Sequence, residues 1–308
     1  MVVLESFAEL MDYNFQQIKE EMYEQLPKEF PAYMREETTD RPFEKRSYVG
    51  SLGVPVKNRD HQPLPFDTFP KGYPSIFVPV TYRLGYMIDR QSIEDEQWGI
   101  LASRPQGLLR GSVVIKDMTA SDILNNGTSA QSYDIGGTPL FSTAQVREDN
   151  GGNWSNRIAV DQPITVETLF NAITQLLTLL TDSRGLPITY TGAINLFVPQ
   201  INAELWEQAL VVVNSTMDPN TTDNRINAVI KQFRINVVPL RYLTNPNMWF
   251  IAWDKSAPNY GLVLFERVAP TVRPLKPFGD NDDVYYASLR MRFTCGYENS
   301  RGIGSVGA

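Results

Sequence analysis

Residues 165–185, TVETLFNAITQLLTLLTDSRG, carry the clearest helical pattern in the chain, and the apolar run INLFVPQ follows at 194–200. Thr165 is a favoured N-cap residue. Apolar side chains recur after it at the spacing of one helix face until Gly185: Val166, Leu169, Phe170, Ile173, Leu176, Leu177 and Leu180. The short apolar run predicts a buried strand.

Helices and strands also mix further along the chain. Asn202 is predicted to cap a second helix, whose apolar positions are Leu205, Trp206, Ala209, Leu210 and Val213. Three segments rich in apolar and β-branched residues are predicted strands: INVVPLRYL, MWFIAWD and YGLVLFERV. The predicted fold class is therefore α+β, with two helices flanking a sheet.

The run YYASLRMRFTCGY, residues 285–297, alternates between apolar and polar side chains. This period of two predicts a strand with one buried face, which carries Ala287, Leu289, Met291, Phe293 and Cys295. Cys295 is thus expected to be a small buried hydrophobic residue and not a catalytic thiol.

The first part of the chain predicts an arm and a ribbon. Apolar residues at helical spacing over residues 4–22 predict an amphipathic helix that ends at Pro27 and packs on another surface. Residues 41–73 are strand-like, rich in Gly and Pro, and turn around residues 58–62. An isolated two-stranded ribbon is marginal in water, so its expected partner is another surface, including that of a neighbouring copy.

The next segment is predicted to be a strand followed by a long helix. Even-numbered residues from Ile76 to Tyr86 are expected to share one side of the strand. A helix over residues 92–124 is expected to be capped by Ser92, with Pro105 opening its second stretch. Its predicted buried face carries Leu108, Leu109, Val113, Ile115 and Ile123.

The helix is expected to stop at the Asn-Asn-Gly sequence of residues 125–127, where the Gly-rich stretch NNGTSAQSYDIGGTPLFST begins. A glycine loop that cradles phosphate needs converging N–H groups and a following Lys. No Lys follows here, and Pro139 removes one donor. The sequence therefore disfavours a phosphate loop.

Composition excludes several classes of function. The net charge of −7 argues against a protein that grips nucleic acid by its phosphates. One histidine, His61, and one cysteine cannot build a usual zinc site within one chain, whereas carboxylate-only sites stay open. The N-terminus lacks a signal-peptide pattern and no apolar run spans a bilayer, so we expect a soluble protein that folds inside a cell, with no cofactor.

Several phrases, in their order and spacing, carry a resemblance over nearly the whole chain. They are YRLGYMIDRQSIEDEQWG, the helix ending in SDILNN, GGTPLFSTAQV, GLPI before NLFVPQINAELWEQAL, and RYLTNPNMWFIAWD. The chain resembles tailed-phage major capsid proteins of the Hong Kong type, especially the Mu-like major head subunits.

This resemblance implies a division of the chain into parts. They are an N-terminal arm (1–40), an extended hairpin loop that lies over an adjacent subunit (41–75), a peripheral domain with the helix of 92–124 as its spine (76–160 and 270–308), and an axial domain (161–269). It also implies subunit contacts through the arm, the loop and the Gly-rich connection. The candidates are Phe7, Leu10, Met11, Phe15, Lys57, Asn58, Arg59, Asp60, His61, Phe66, Asp134 and Phe141.

The function implied is a major capsid protein that forms the icosahedral shell around the double-stranded DNA of a tailed phage. Its partners would be copies of itself in hexamers and pentamers, with scaffold, portal and decoration proteins. It would enclose DNA without reading its sequence, would touch no membrane, and would assemble in the host bacterial cytoplasm. The alternatives are another virion component, such as a tail-tube or head-completion protein, and a carboxylate-dependent hydrolase. No catalytic or metal-binding residue is predicted.

Overall fold

The computed structural model describes most of the chain. The described residues are 23–49, 52–57, 63–68, 71–95, 100–131, 137–147, 152–159, 163–217, 219, 227, 232–258, 260–278 and 281–307. The mixture of helices and strands in two larger sheets confirms the predicted α+β class.

The first sheet has four strands in the order β1-β11-β12-β4. Their bounds are Arg35–Thr38 for β1, Val80–Asp89 for β4, Leu262–Phe278 for β11 and Asn281–Tyr297 for β12. The last two form a long antiparallel hairpin, while β4 pairs antiparallel with β12 and β1 parallel with β11. The alternation predicted for β12 is confirmed, because the side chains from Ala287 to Cys295 on its apolar side are all buried.

Two helices stand where one long helix was predicted. Helix α1 spans Arg90–Glu94, and α2 spans Ile100–Asn125 and packs on β11 and β12. The predicted end at Asn125 is confirmed. Ser92 lies inside α1 and caps nothing, because Asp89 occupies the N-cap position; Pro105 lies inside α2 and does not open it.

The second sheet has five strands in the order β7-β13-β10-β8-β9. Their bounds are Arg157–Ala159 for β7, Ile194–Pro199 for β8, Ile235–Leu240 for β9, Trp249–Trp253 for β10 and Ile303–Val306 for β13. Every residue of β8 and β10 is buried, as their apolar character predicts, and the buried set includes the polar Asn195. Helix α3, Val166–Leu179, packs on β10 and β13, and helix α4, Ala203–Asn214, on β8 and β9.

Both predicted caps of these helices are present. The Thr165 hydroxyl accepts a hydrogen bond from the Thr168 N–H at 3.1 Å, and the Thr168 hydroxyl accepts one from the Thr165 N–H at 2.8 Å. The Asn202 side chain accepts from the Leu205 N–H at 3.2 Å. Helix α3 ends before Gly185, however, and Phe170 on its predicted buried face is 41% exposed.

The strand predicted over residues 76–86 is divided. Strand β3, Lys71–Phe77, ends before Pro79, which cannot donate a backbone hydrogen bond, and β4 begins at Val80. Ile76 is 47% exposed and Val80 53% exposed, whereas Phe77 is buried against Val263 and Phe265. The predicted apolar side is therefore largely exposed in the single subunit.

The predicted arm of residues 1–40 includes described residues that pack against the body. Phe30 and Tyr33 are buried, and β1 follows them into the four-stranded sheet. One carboxylate oxygen of Asp117 on α2 accepts hydrogen bonds from the N–H groups of Glu29 and Phe30, at 3.0 and 2.9 Å. Within the span assigned to the arm, Phe30, Tyr33 and β1 are thus packed against the rest of the subunit.

Strand pairing also crosses two predicted domain boundaries. Strands β7 and β13, assigned to the peripheral part, are hydrogen-bonded into the same sheet as β8 and β10, assigned to the axial part. Strand β11 begins in the axial part and continues into the peripheral part. The boundaries at 160 and 269 therefore cut through continuous sheets, because sequence order alone does not reveal which strands pair.

Asn156 forms hydrogen bonds both to the Gly-rich connection of residues 125–143 and to the last strand, β13. Its side chain accepts from the Ser142 N–H at 3.0 Å and donates to the Leu140 carbonyl at 2.6 Å, and its carbonyl accepts from the Ser305 N–H at 3.0 Å. The residue is fully buried. These bonds hold the part of the connection around Leu140 and Ser142 against the buried end of the chain.

We expect Asn156→Ala to lower the free energy of unfolding by about 2 kcal/mol, because it leaves buried backbone donors and acceptors unpaired. Urea unfolding followed by tryptophan fluorescence measures the loss. Thr143→Ala, at an exposed position of the same connection, is the control and should unfold like the unchanged chain. Equal stability of all three proteins would contradict the assignment.

Candidate functional site

The predicted hairpin is present at its base. Strand β2, Glu44–Val49, pairs antiparallel with β3, with Glu44 opposite Phe77 and Lys45 opposite Ile76. Beyond this ladder the described residues 52–57 and 63–68 have no regular secondary structure. We call these two segments the apolar loop.

The apolar loop exposes an unusual number of large apolar side chains. The exposed fractions are 49% for Leu52, 65% for Val54, 72% for Val56, 70% for Leu64 and 90% for Phe66. Single exposed hydrophobic residues are normal, but a group of them marks a surface that a partner covers. The loop is therefore the first candidate for contact with another molecule.

An ion pair ties the apolar loop to the segment after α3. The Asp67 carboxylate lies 2.7 Å from the Arg184 guanidinium and accepts from the Gly53 N–H at 2.8 Å, so it joins the two sides of the loop. Arg184 also donates to the Thr68 carbonyl at 2.6 Å. Hydrogen bonds from the N–H groups of Gly53 and Thr68, with the nearby Arg184, lower the pKa of Asp67. The loop is thus held in a defined position although its apolar side chains are uncovered.

A group of charged residues fixes the root of the hairpin to the sheet. Arg46 on β2 lies 2.6 Å from Glu37 on β1 and 3.5 Å from Glu298, and Arg35 lies 2.6 Å from Glu298. Burial raises the pKa of Glu298 more than the two arginines lower it. The base of the hairpin is therefore anchored to the body.

A second apolar surface follows β3 and β4. Ile76, Val78, Val80 and Leu84 are 47–59% exposed. Strand β4 is also an edge strand of its sheet, and edge strands with apolar side chains invite pairing with another chain. This surface joins the apolar loop as a second candidate contact.

A buried cation on α2 was missing from the sequence prediction. The Lys116 ammonium is 3.0 Å from a carboxylate oxygen of Glu266 on β11 and 3.0 Å from the Tyr23 hydroxyl, and its side chain is 1% exposed. Burial alone would lower the pKa of Lys116, but Tyr23 and Glu266 together raise it. The group locks α2 to the sheet and to the start of the described chain.

Within the described ranges, no group of three or more His, Cys, Asp or Glu side chains could hold a metal ion. Cys295 is buried, and its burial raises the pKa of the thiol well above the ordinary value, which disfavours the reactive thiolate.

The predicted contact residues divide into three groups. Lys57 and Phe66 are exposed on the apolar loop. Phe141 is 1% exposed and stacks on Phe250 in the core, with ring centroids 5.2 Å apart, so its side chain has no surface to offer and this prediction is wrong. The remaining candidates lie outside the described residues: Phe7, Leu10, Met11, Phe15, Asn58, Arg59, Asp60, His61 and Asp134.

The described helices are all too short or too polar to cross a bilayer. A comparison with curated protein sequences finds no significant match.

Solved structures share the fold at low sequence identity. The capsid of the cyanophage P-SCSP1u is 7% identical with a TM-score of 0.57, over 91% of this chain and 88% of that chain. The mature capsid of bacteriophage PhiM1 is 10% identical with a TM-score of 0.55, over 91% and 87%. A chain of Microbacterium phage Oxtober96 is 13% identical with a TM-score of 0.54, over 91% of each chain.

The sequence also matches a family model directly. The model described as "Phage capsid protein" matches residues 72–304 of the 308. The match includes the four-stranded sheet from β4 onward, helix α2 and nearly all of the five-stranded sheet. The chain belongs to the phage capsid protein family.

Proposed function

We propose that the chain is the major capsid protein of a tailed phage and that hexamers and pentamers of it form the icosahedral shell around the double-stranded DNA genome. The main observation in support is the apolar loop. A single subunit holds this loop in place but leaves its large apolar side chains exposed to solvent. A shell built on five-fold and six-fold axes needs two different complementary faces on every copy. A projecting loop enlarges the contact per copy without enlarging the core.

The two sheets suit this function if the boundaries between the peripheral and axial domains are moved to follow the strand pairing. We assign the four-stranded sheet with α2 to the peripheral domain and the five-stranded sheet with α3 and α4 to the axial domain. The apolar loop then lies over a neighbouring subunit, where its uncovered side chains are buried. Scaffold, portal and decoration proteins would bind the assembly, which would form in the host cytoplasm. The protein acts as a structural component and not as an enzyme.

Electron microscopy of the purified full-length protein tests this function. We expect closed, roughly spherical shells. Tubes or open rings would favour a tail-tube or head-completion protein, and a protein that stays monomeric at every concentration would contradict the proposal. Hydrolase activity lost on replacing Asp282 and Asp283, with folding intact, would favour the carboxylate-dependent enzyme.

A further inference from the structure

Three arginines converge on one cavity of the four-stranded sheet. The cavity has a volume of about 310 Å³, and its walls are Arg83 on β4, Arg273 on β11 and Arg290 on β12. Gly85 and Ser288 also line it. We call this cavity the arginine pocket.

Strand register explains why the three arginines share a face. Arg83 is directly opposite Arg290, so both side chains leave the sheet on the same side. Arg273 is opposite Ser288, two residues from Arg290, and therefore lies on that side as well. Gly85 and Ser288 face each other between them, so the floor carries no large side chain.

The positive charge of the arginine pocket has no partner among the described acidic side chains. In the part of the chain that the structure describes, no carboxylate forms an ion pair with Arg83, Arg273 or Arg290. The Nε atom of Arg290 is buried and has no hydrogen-bond partner there. Like charges directly opposite each other destabilise a sheet. An anion bound among the three guanidinium groups would offset this repulsion.

We propose that the arginine pocket binds a carboxylate of a second copy of this chain. This inference rests on the proposed function, because the contact forms between subunits of the shell. Every copy carries an excess of acidic residues, with a net charge of −7, so a neighbouring copy supplies the complementary charge. The planar guanidinium matches a carboxylate through two parallel hydrogen bonds. A small concave site suits one projecting acidic side chain. Duplex DNA presents a continuous row of phosphates and is matched by an extended basic surface.

Zero-length cross-linking in mixed shells tests whether the anion comes from another copy. Arg83→Lys keeps the charge and supplies a primary amine. A carbodiimide then joins that amine to an adjacent carboxylate as an amide, and the carbodiimide takes up the lost water as a urea. In shells assembled from ¹⁴N and ¹⁵N subunits, we expect position 83 to be joined to an Asp or Glu of the other isotope. Cross-links within one copy only, or none, would overturn the inference.

Removing the charge tests whether the contact stabilises the assembly. We expect Arg83→Gln combined with Arg290→Gln to raise the subunit concentration needed for half-assembly by about tenfold at low salt, equivalent to 1.4 kcal/mol. The difference should shrink towards about 1 M salt, where charges are screened within about 3 Å. Ser288→Leu keeps all three charges but places a large side chain in the arginine pocket. It should therefore weaken assembly as well, because it leaves no room for the carboxylate.

Arg110→Gln removes one exposed charge from α2, outside the arginine pocket, and serves as the control that leaves assembly unchanged. The thermal unfolding midpoint of the variant with Arg83→Gln and Arg290→Gln should equal or exceed that of the unchanged subunit, because removing these charges relieves repulsion. If the charge-removed protein assembles like the unchanged one but loses binding to a short DNA duplex, the arginine pocket serves nucleic acid and the inference is wrong. If the unchanged protein forms no shell, the proposed function is wrong. The cross-link between ¹⁴N and ¹⁵N subunits is then measured in the oligomer that does form, and it still tests the arginine pocket.

Discussion

The Phe66→Asp variant is expected to fold normally and to lose shell formation. Phe66 is 90% exposed in the single subunit, so its replacement removes almost no contact from the interior. In the shell, the same side chain would be an aromatic anchor buried against a neighbour. Truncation of such an anchor typically costs about 2 kcal/mol or more, which is about 30-fold in each association constant. A buried, unpaired carboxylate adds a further penalty.

Sedimentation velocity over a range of subunit concentrations measures the loss. Ile201→Asp is the matched control, because Ile201 is 68% exposed and lies outside both the apolar loop and β3–β4. We expect the control to assemble like the unchanged chain, while the Phe66 variant remains as free subunits or small oligomers with the same thermal midpoint. Shells from both variants at the same concentration would show that the apolar loop does not bind a neighbouring copy.

Local sequence patterns were enough to predict the elements whose signals are short-range. Thr165 and Asn202 are caps that act within three residues, and the apolar runs of β8 and β10 are buried whatever their partners. The alternation of apolar and polar side chains around Cys295 likewise predicts a strand with one buried face, whichever strands lie beside it. These features were all confirmed because a helix cap or a pleat is decided by neighbouring residues.

Features that depend on tertiary pairing were not predictable. Phe141 was expected to be at a contact, but its ring fills the space beside Gly127, where a Cβ atom would lie 2.5 Å from it. Gly127 was recognised only as the end of a helix. The apolar side of residues 76–80 turned outward because β3 pairs with β2 and buries Phe77 instead. In both cases the decisive partner is distant in sequence.

The arginine pocket and the buried Lys116 differ in how far the sequence alone could predict them. The arginine pocket depends on Arg83 and Arg290 being opposite each other, a register that no local pattern contains. Lys116, in contrast, sits three residues after Val113 and four before Ala120, on the buried face of a predicted helix. A lysine at that spacing indicates a buried cation that must be paired.

The Lys116→Met variant is expected to lose about 3 kcal/mol of unfolding free energy. Removing one partner of a buried ion pair leaves the other charge uncompensated, at a cost of about 3–5 kcal/mol. Glu266 retains 19% of its side-chain exposure, so water partly solvates it and the lower end applies. The loss should appear as a lower urea midpoint with an unchanged slope. Because α2 is locked to the sheet through this pair, the variant should also yield fewer intact shells.

A double-mutant cycle separates the lost ion pair from altered packing. Replacing Lys116 and Glu266 together with methionine removes both charges, so most of the stability should return, since apolar replacements of buried ion pairs are often neutral. The pH dependence gives an independent check. The pKa of Lys116 is raised above 10.5, so the stabilisation by its charge is fully present below pH 10.5 and is lost as the pH rises through the folded-state value. A Lys116→Met penalty that is unchanged across that range, or a double variant as unstable as the single one, would show that the methylene chain, and not the charge, holds α2 in place.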